Sequence, residues 1–170
     1  TGFLPIRRGI VNHCGQNITN LKTNEIKKRR IGYLPQGGEL FPSLTVKENI
    51  EVAALTVSRQ KSVRRQYLAN AIAFFPMLAP LNVTNPASLR GEQRHIPAAA
   101  IIIAGEHRVL VLDEPSAGLS ADFALPLIEK IKRLSLEKGT TVMMIEHNLN
   151  LANQVSDRFI YLEEGKAHEV

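Results

Sequence analysis

Two adjacent carboxylates, Asp113 and Glu114, follow the apolar run Val109-Leu110-Val111-Leu112. Such a run is expected to form a short buried strand of the parallel-sheet kind. It would deliver both acids to the strand's C-terminal end, where open α/β sheets bind ligands. That arrangement suits magnesium–nucleotide chemistry. The first carboxylate can hold Mg²⁺ through water, and the second can take a proton from an attacking water. A buried strand followed by a solvated acidic turn would carry the same two residues. Two further polar groups end apolar runs: Gln36 after Ile31-Gly32-Tyr33-Leu34-Pro35, and His147 after Thr140 to Ile145 and Glu146. Each could equally be an ordinary turn or structural residue.

The elements that must position these groups are legible from local patterns. Pro115 stops the central strand, and Ser116-Ala117-Gly118 turns the chain toward a helix expected over Leu125 to Leu136. Lys138-Gly139 reads as that helix's C-cap. Thr140 to Ile145 is expected as a second buried parallel strand. Thr45 and Glu48 are spaced as a capping box, so a helix is expected from about Val46, packing Ile50, Ala53, Ala54 and Val57. A second helical region spans Val63 to Leu81, with Tyr67, Leu68, Ile72 and Phe75 on one side and Pro76 and Pro80 ending or kinking it. Thr1 to Pro5 reads as a helix exit. Gly9 to Ile18 reads as strand, turn and strand, and Asp157 to Leu162 as a last strand before a hairpin turn at Glu163 to Lys166.

The chain has 170 residues, enough for one domain with a real core, and its 44% hydrophobic and 22% charged residues are those of an ordinary globular protein. The formal net charge of +5 is concentrated at Lys27 to Arg30 and Arg59 to Arg65. No aromatic residues are interleaved there for base stacking, so solvated basic faces are expected and no nucleic-acid partner. Cys14 is the single cysteine, which rules out an internal disulfide. With His13 it makes two metal-ligand types without further partners, which is no site. The longest apolar run, Ile96 to Ala104, is too short to span a bilayer and contains Pro97.

Read whole, VLVLDEPSAGLS resembles the Walker B motif and D-loop of ABC-type ATPases, the D-loop covering Ser116, Ala117, Gly118 and Leu119. IGYLPQ with LFPSLTVKENI is similar to the same family's Q-loop, and TVMMIEHN to its switch-histidine strand. The motifs stand in family order over nearly the whole chain. The resemblance implies an α/β P-loop-type sheet with an antiparallel β edge and a helical subdomain at about 46–104, the remainder of 1–170 being catalytic core. It implies ATP and Mg²⁺ as ligands, with Asp113 and Gln36 for Mg²⁺, Glu114 as general base and His147 at the γ-phosphate. It also implies transmembrane permease partners, a second ATP-binding subunit, and a peripheral place on the cytoplasmic face of the inner (plasma) membrane. FFPML, PQGGELFPSLTV and PSAGLS look most like the branched-chain amino-acid importers.

Two departures qualify this. No G-x-x-x-x-G-K-[ST] occurs, and the opening TG-x-L-x-P-x-x-G stretch follows the Walker A helix in the family, so the start is read as cut and the end as short. The signature pattern L-S-G-G-[QE] falls on Leu89, Arg90, Gly91, Glu92 and Gln93, and no register keeps the serine and both glycines. Glycines there let backbone amides approach a γ-phosphate; Arg90 could pair with it, while Glu92 would repel it. Pro97 falls inside the expected signature helix, at a cost of ~3 kcal/mol for an interior position. The expected function is an ATP-hydrolysing importer subunit. The alternative is an inactive remnant or regulatory subunit, and the chain alone is expected not to hydrolyse ATP.

Overall fold

The computed structural model describes residues 1–89 and 92–169. A small hairpin, β1 (Asn12–His13) and β2 (Gln16–Asn17), turns on Cys14 and Gly15. Both have positive φ, the backbone a two-residue hairpin requires. Helix α1 (Thr23–Lys28) leads into β3 (Ile31–Leu34). Helix α2 (Val46–Leu55) starts at the capping box read from the sequence. The Glu48 N–H donates to Thr45 Oγ1 at 3.2 Å, and the Thr45 N–H donates to Glu48 Oε2 at 2.7 Å. Helix α3 (Lys61–Phe74) ends at Phe75-Pro76, and single 3₁₀ turns follow at Pro76–Leu78 and Pro86–Ser88. Then come α4 (Glu92–Ala104), β4 (Val109–Asp113), α5 (Ala121–Lys138), β5 (Thr141–Ile145) and α6 (Leu149–Val155). A hairpin of β6 (Ile160–Glu163) and β7 (Lys166–Glu169) follows.

The centre is a parallel sheet in the order β3-β4-β5, with Leu34 beside Leu112 and Asp113 beside Ile145. Leu34, Leu110 and Leu112 point into one apolar core shared with α2 to α6, where Ile50, Leu78, Ile103, Ile128 and Leu134 are fully buried. Helix α4 packs on α2 and α3 as well as on β3 and α5, joining the helical layer to the sheet. Tyr67 of α3 fixes that joint by donating its hydroxyl to the Ile101 carbonyl.

Several expectations change. Helix α5 begins at Ala121, not Leu125, and carries Pro126 in its interior. Helix α4 likewise continues through Pro97. Its Ala98, Ala99, Ala100, Ile103 and Ala104 are all buried, and that apolar area offsets the lost helical bond. The strand Thr141–Ile145 is not buried: it is the sheet edge, and Met143 and Ile145 face outward. Strand β4 is closed on one face only, since Val109, Val111 and Asp113 point away from the helical core and remain half-buried. Phe3 covers part of that face, its ring 5.8 Å from that of Tyr33. The strand over 160–163 is not the last, since β7 pairs with it. No helix forms at Thr1 to Pro5.

Candidate functional site

Because β3, β4 and β5 run parallel, the residues just past their C-terminal ends meet at one edge. Glu114 is the hub. Its Oε2 accepts from Gln36 Nε2 at 2.6 Å, and its Oε1 lies 3.3 Å from His147 Nδ1. A carboxylate can only accept, so this contact commits the amide nitrogen of Gln36 and leaves its carbonyl oxygen as the atom able to face a cation.

The backbone at Glu114 is unusual. Its φ is +47°, a left-handed conformation that costs a residue with a Cβ about 1–2 kcal/mol. The conformation is held from both sides. The Glu114 N–H donates to the Ile145 carbonyl at 2.9 Å, extending the β4–β5 ladder by one bond. The Glu114 carbonyl accepts from the Ala117 N–H at 3.0 Å, closing a turn over Pro115 and Ser116. The strand therefore stops abruptly, and Glu114 swings toward the Gln36 side.

Asp113, the last residue of β4, accepts from the Tyr33 hydroxyl at 3.3 Å through Oδ2. Burial raises the Tyr33 phenol above its ordinary range, and the Asp113 charge and hydrogen bond raise it further. Tyr33 thus stays a neutral donor and occupies one Asp113 oxygen. The other oxygen and the Gln36 carbonyl are hard donors, one carboxylate and one amide, that follow paired strands. That set fits Mg²⁺, which takes one or two protein oxygens and completes its shell with phosphate and water. No cluster of three His, Cys, Asp or Glu able to hold a metal exists among the described residues.

His147 is aimed by its neighbours. Glu146 Oε2 accepts from Ser116 Oγ at 2.5 Å, and its Oε1 accepts from the Asn148 N–H at 2.9 Å. Asn148 Oδ1 in turn caps α6 at the Leu151 N–H, 3.3 Å away. With both flanks tied down, the His147 side chain projects into solvent, 68% exposed. Sequence reasoning assigned no role to Glu146 or Tyr33, yet Glu146 joins the turn after β4 to the loop after β5. Its place beside His147 was the available signal.

Of the other candidate residues, Ser116 is buried at this same edge, and Leu119 packs against the core. Gly118 has φ +73° and faces α4, where an added Cβ would lie 3.8 Å from His95 Nε2. Leu89 is buried, 7% exposed, and belongs to the apolar core. Arg90 and Gly91 lie outside the described residues, as do the side chains of Glu92 and Gln93 in the first turn of α4.

A family model described as ABC transporter matches residues 1–117. The probable branched-chain amino acid transport ATP-binding protein LivF of Archaeoglobus fulgidus is 33% identical over 165 residues, covering 97% of this chain and 69% of the relative. The thiamine import ATP-binding protein ThiQ of a Ruegeria species is 31% identical over 170 residues, covering 98% of this chain and 71% of the relative. The dimeric ATP-binding cassette MJ0796, solved bound to ADP and Pi, superposes with a TM-score of 0.88 at 24% identity, covering 99% of this chain and 75% of that one. This last likeness is one of fold.

Proposed function

The chain belongs to the ABC transporter family, and from that premise we propose that it is the ATP-binding subunit of an importer, with ATP hydrolysis centred on Glu114. The observation that carries this reading is the double contact of Glu114, to Gln36 at 2.6 Å and to His147 at 3.3 Å. In this reading Glu114 accepts the proton of the attacking water, while Gln36 orients that water through its carbonyl. His147 donates toward the terminal phosphate. Asp113 and Gln36 would hold Mg²⁺, which when bound neutralises developing phosphate charge. The helices over about 46–104 form the helical subdomain that docks on transmembrane permease subunits, and the turn Ser116–Leu119 faces a second ATP-binding subunit. The place of work is the cytoplasmic face of the membrane. No helix among the described residues is long and apolar enough to cross it.

Amino acids, branched-chain ones first, are the proposed cargo. The name of the LivF relative and the loops FFPML and PSAGLS support this, while the ThiQ relative is named for thiamine.

The 170 residues contain no G-x-x-x-x-G-K-[ST] loop, and no register of Leu89 to Gln93 keeps the serine and both glycines of the family signature. The chain by itself is therefore proposed to lack turnover. The test is phosphate release from Mg-ATP, measured on the chain alone and on the chain joined at residue 1 to the strand, phosphate loop and first helix of the LivF relative. We expect none from the first. The joined form should turn over and lose at least about a hundredfold with Glu114→Gln. Turnover indifferent to that substitution would refute the role of Glu114, and a folded joined form that binds no Mg-ATP would favour an inactive remnant.

A further inference from the structure

The opposite edge of the parallel sheet carries a cleft of about 480 Å³, lined by His13, Cys14, Arg30, His107, Arg108 and Lys138. These residues come from four separate places: the β1–β2 turn, the α1–β3 junction, the α4–β4 loop and the α5–β5 turn. Each group after the first immediately precedes a strand of the sheet. Parallel strands put those starts together and the Asp113–Glu114 cluster at the far ends, about 16 Å away for a five-residue strand. The cleft is thus distinct from the site described above.

Its charge is one-sided. Arg30, Arg108 and Lys138 are basic side chains, and the ion pair they make among the described residues is that of Arg30 Nη2 with Glu106 Oε2 at 3.2 Å. Three cations against one carboxylate leave a local excess of two positive charges. Arg108 Nη1 is 3.8 Å from Cys14 Sγ, and Lys138 Nζ sits 5.3 Å from the centre of the Phe74 ring. His107 lines the same cleft. Burial lowers its imidazole, and the charges of Lys27, Arg30 and Lys138 lower it further, against the Ile102 carbonyl alone.

We infer that this cleft binds a small, multiply charged anion bearing phosphate. A divalent anion matches the uncompensated charge; Arg108 offers a planar fork of the kind that pairs with phosphate oxygens, while Arg30, whose Nε and Nη2 are held by Glu106, adds charge beside it. The volume exceeds that of a single phosphate group, so the ligand class is a diphosphate or a phosphate ester with a compact body.

Cys14 is exposed, is the chain's one cysteine, and lines the cleft, so its alkylation by iodoacetamide reports occupancy directly. Inorganic pyrophosphate should slow that alkylation at least fivefold at saturation, and sodium chloride at equal ionic strength should not. Lys138→Gln should weaken the protection about tenfold, and Arg108→Gln with Lys138→Gln should abolish it. Arg65→Gln, on α3, should leave it intact. Calorimetry with pyrophosphate checks the same affinities, and circular dichroism checks that each variant is folded. Glu114→Gln should retain full protection, which separates this result from any failure at the nucleotide site. Equal protection by chloride, or protection unchanged in folded Lys138→Gln, would overturn the inference.

Discussion

The side-chain amide of Gln36 donates to Glu114 Oε2 at 2.6 Å, joining the loop after β3 to the turn after β4 across 78 residues of sequence. Both residues follow parallel strands that pair directly, so their juxtaposition is built by the sheet. The bond should have measurable energy. In a double-mutant cycle of Gln36→Ala and Glu114→Ala by urea unfolding, we expect a coupling of about 1 kcal/mol or less, since Gln36 is exposed. Strict additivity of the two substitutions would show that the contact contributes nothing in solution.

Gly38 binds the same loop to α4. It has φ +53°, and an added Cβ would lie 2.5 Å from Ala98 Cβ. Gly38→Ala should therefore destabilise the fold by about 2–3 kcal/mol, from overpacking and left-handed strain together. Adding Ala98→Gly should relieve the clash, leaving the backbone strain at residue 38 and the cost of about 1 kcal/mol for a glycine inside α4, which the Ala98→Gly single variant measures. Failure of the second substitution to recover any stability would remove Ala98 as the cause.

Tyr67 tests the joint between α3 and α4. Burial pushes its phenol up to about 12 from an ordinary 10.0, because the ionised form cannot be solvated there. The fold thus favours the neutral phenol, and its contribution to stability is lost as pH rises from 10 toward 12. Tyr67→Phe should cost about 1 kcal/mol at neutral pH by leaving the Ile101 carbonyl without its donor. It should also soften alkaline unfolding. Identical alkaline midpoints in the two proteins would contradict this.

His107 should tie stability to mild acid. Its imidazole is lowered from 6.5, chiefly by burial and further by Lys27, Arg30 and Lys138, with Glu106 the neighbouring acid. The unfolded chain takes up a proton near 6.5 that the folded chain resists, so stability falls as pH drops below about 6.5. The loss is complete below the folded value. Thermal melts between neutral and mildly acidic pH should show a shallower dependence in His107→Gln than in the parent. Equal slopes would assign the acid sensitivity elsewhere.

Local sequence determined the punctuation of this protein. The capping box at Thr45 and Glu48, the Lys138-Gly139 helix end and the strands over 31–34 and 109–112 needed only neighbouring residues, and all formed where read, although the strand at 109–112 is covered on one face only. The motif order likewise placed Gln36, Asp113, Glu114 and His147 at strand ends. Tertiary structure decided the rest. Pro97 and Pro126 stay helical because their helices bury apolar faces against the core, a gain that no local rule contains. Thr141 to Ile145 is an exposed edge because what covers a strand is set by its neighbours, not by its own β-branched residues. The Ser116–Glu146 bond and the cationic cleft behind the strands join residues distant in sequence. Their chemistry was visible residue by residue, and their convergence exists only because parallel strands gather every start at one edge and every end at the other.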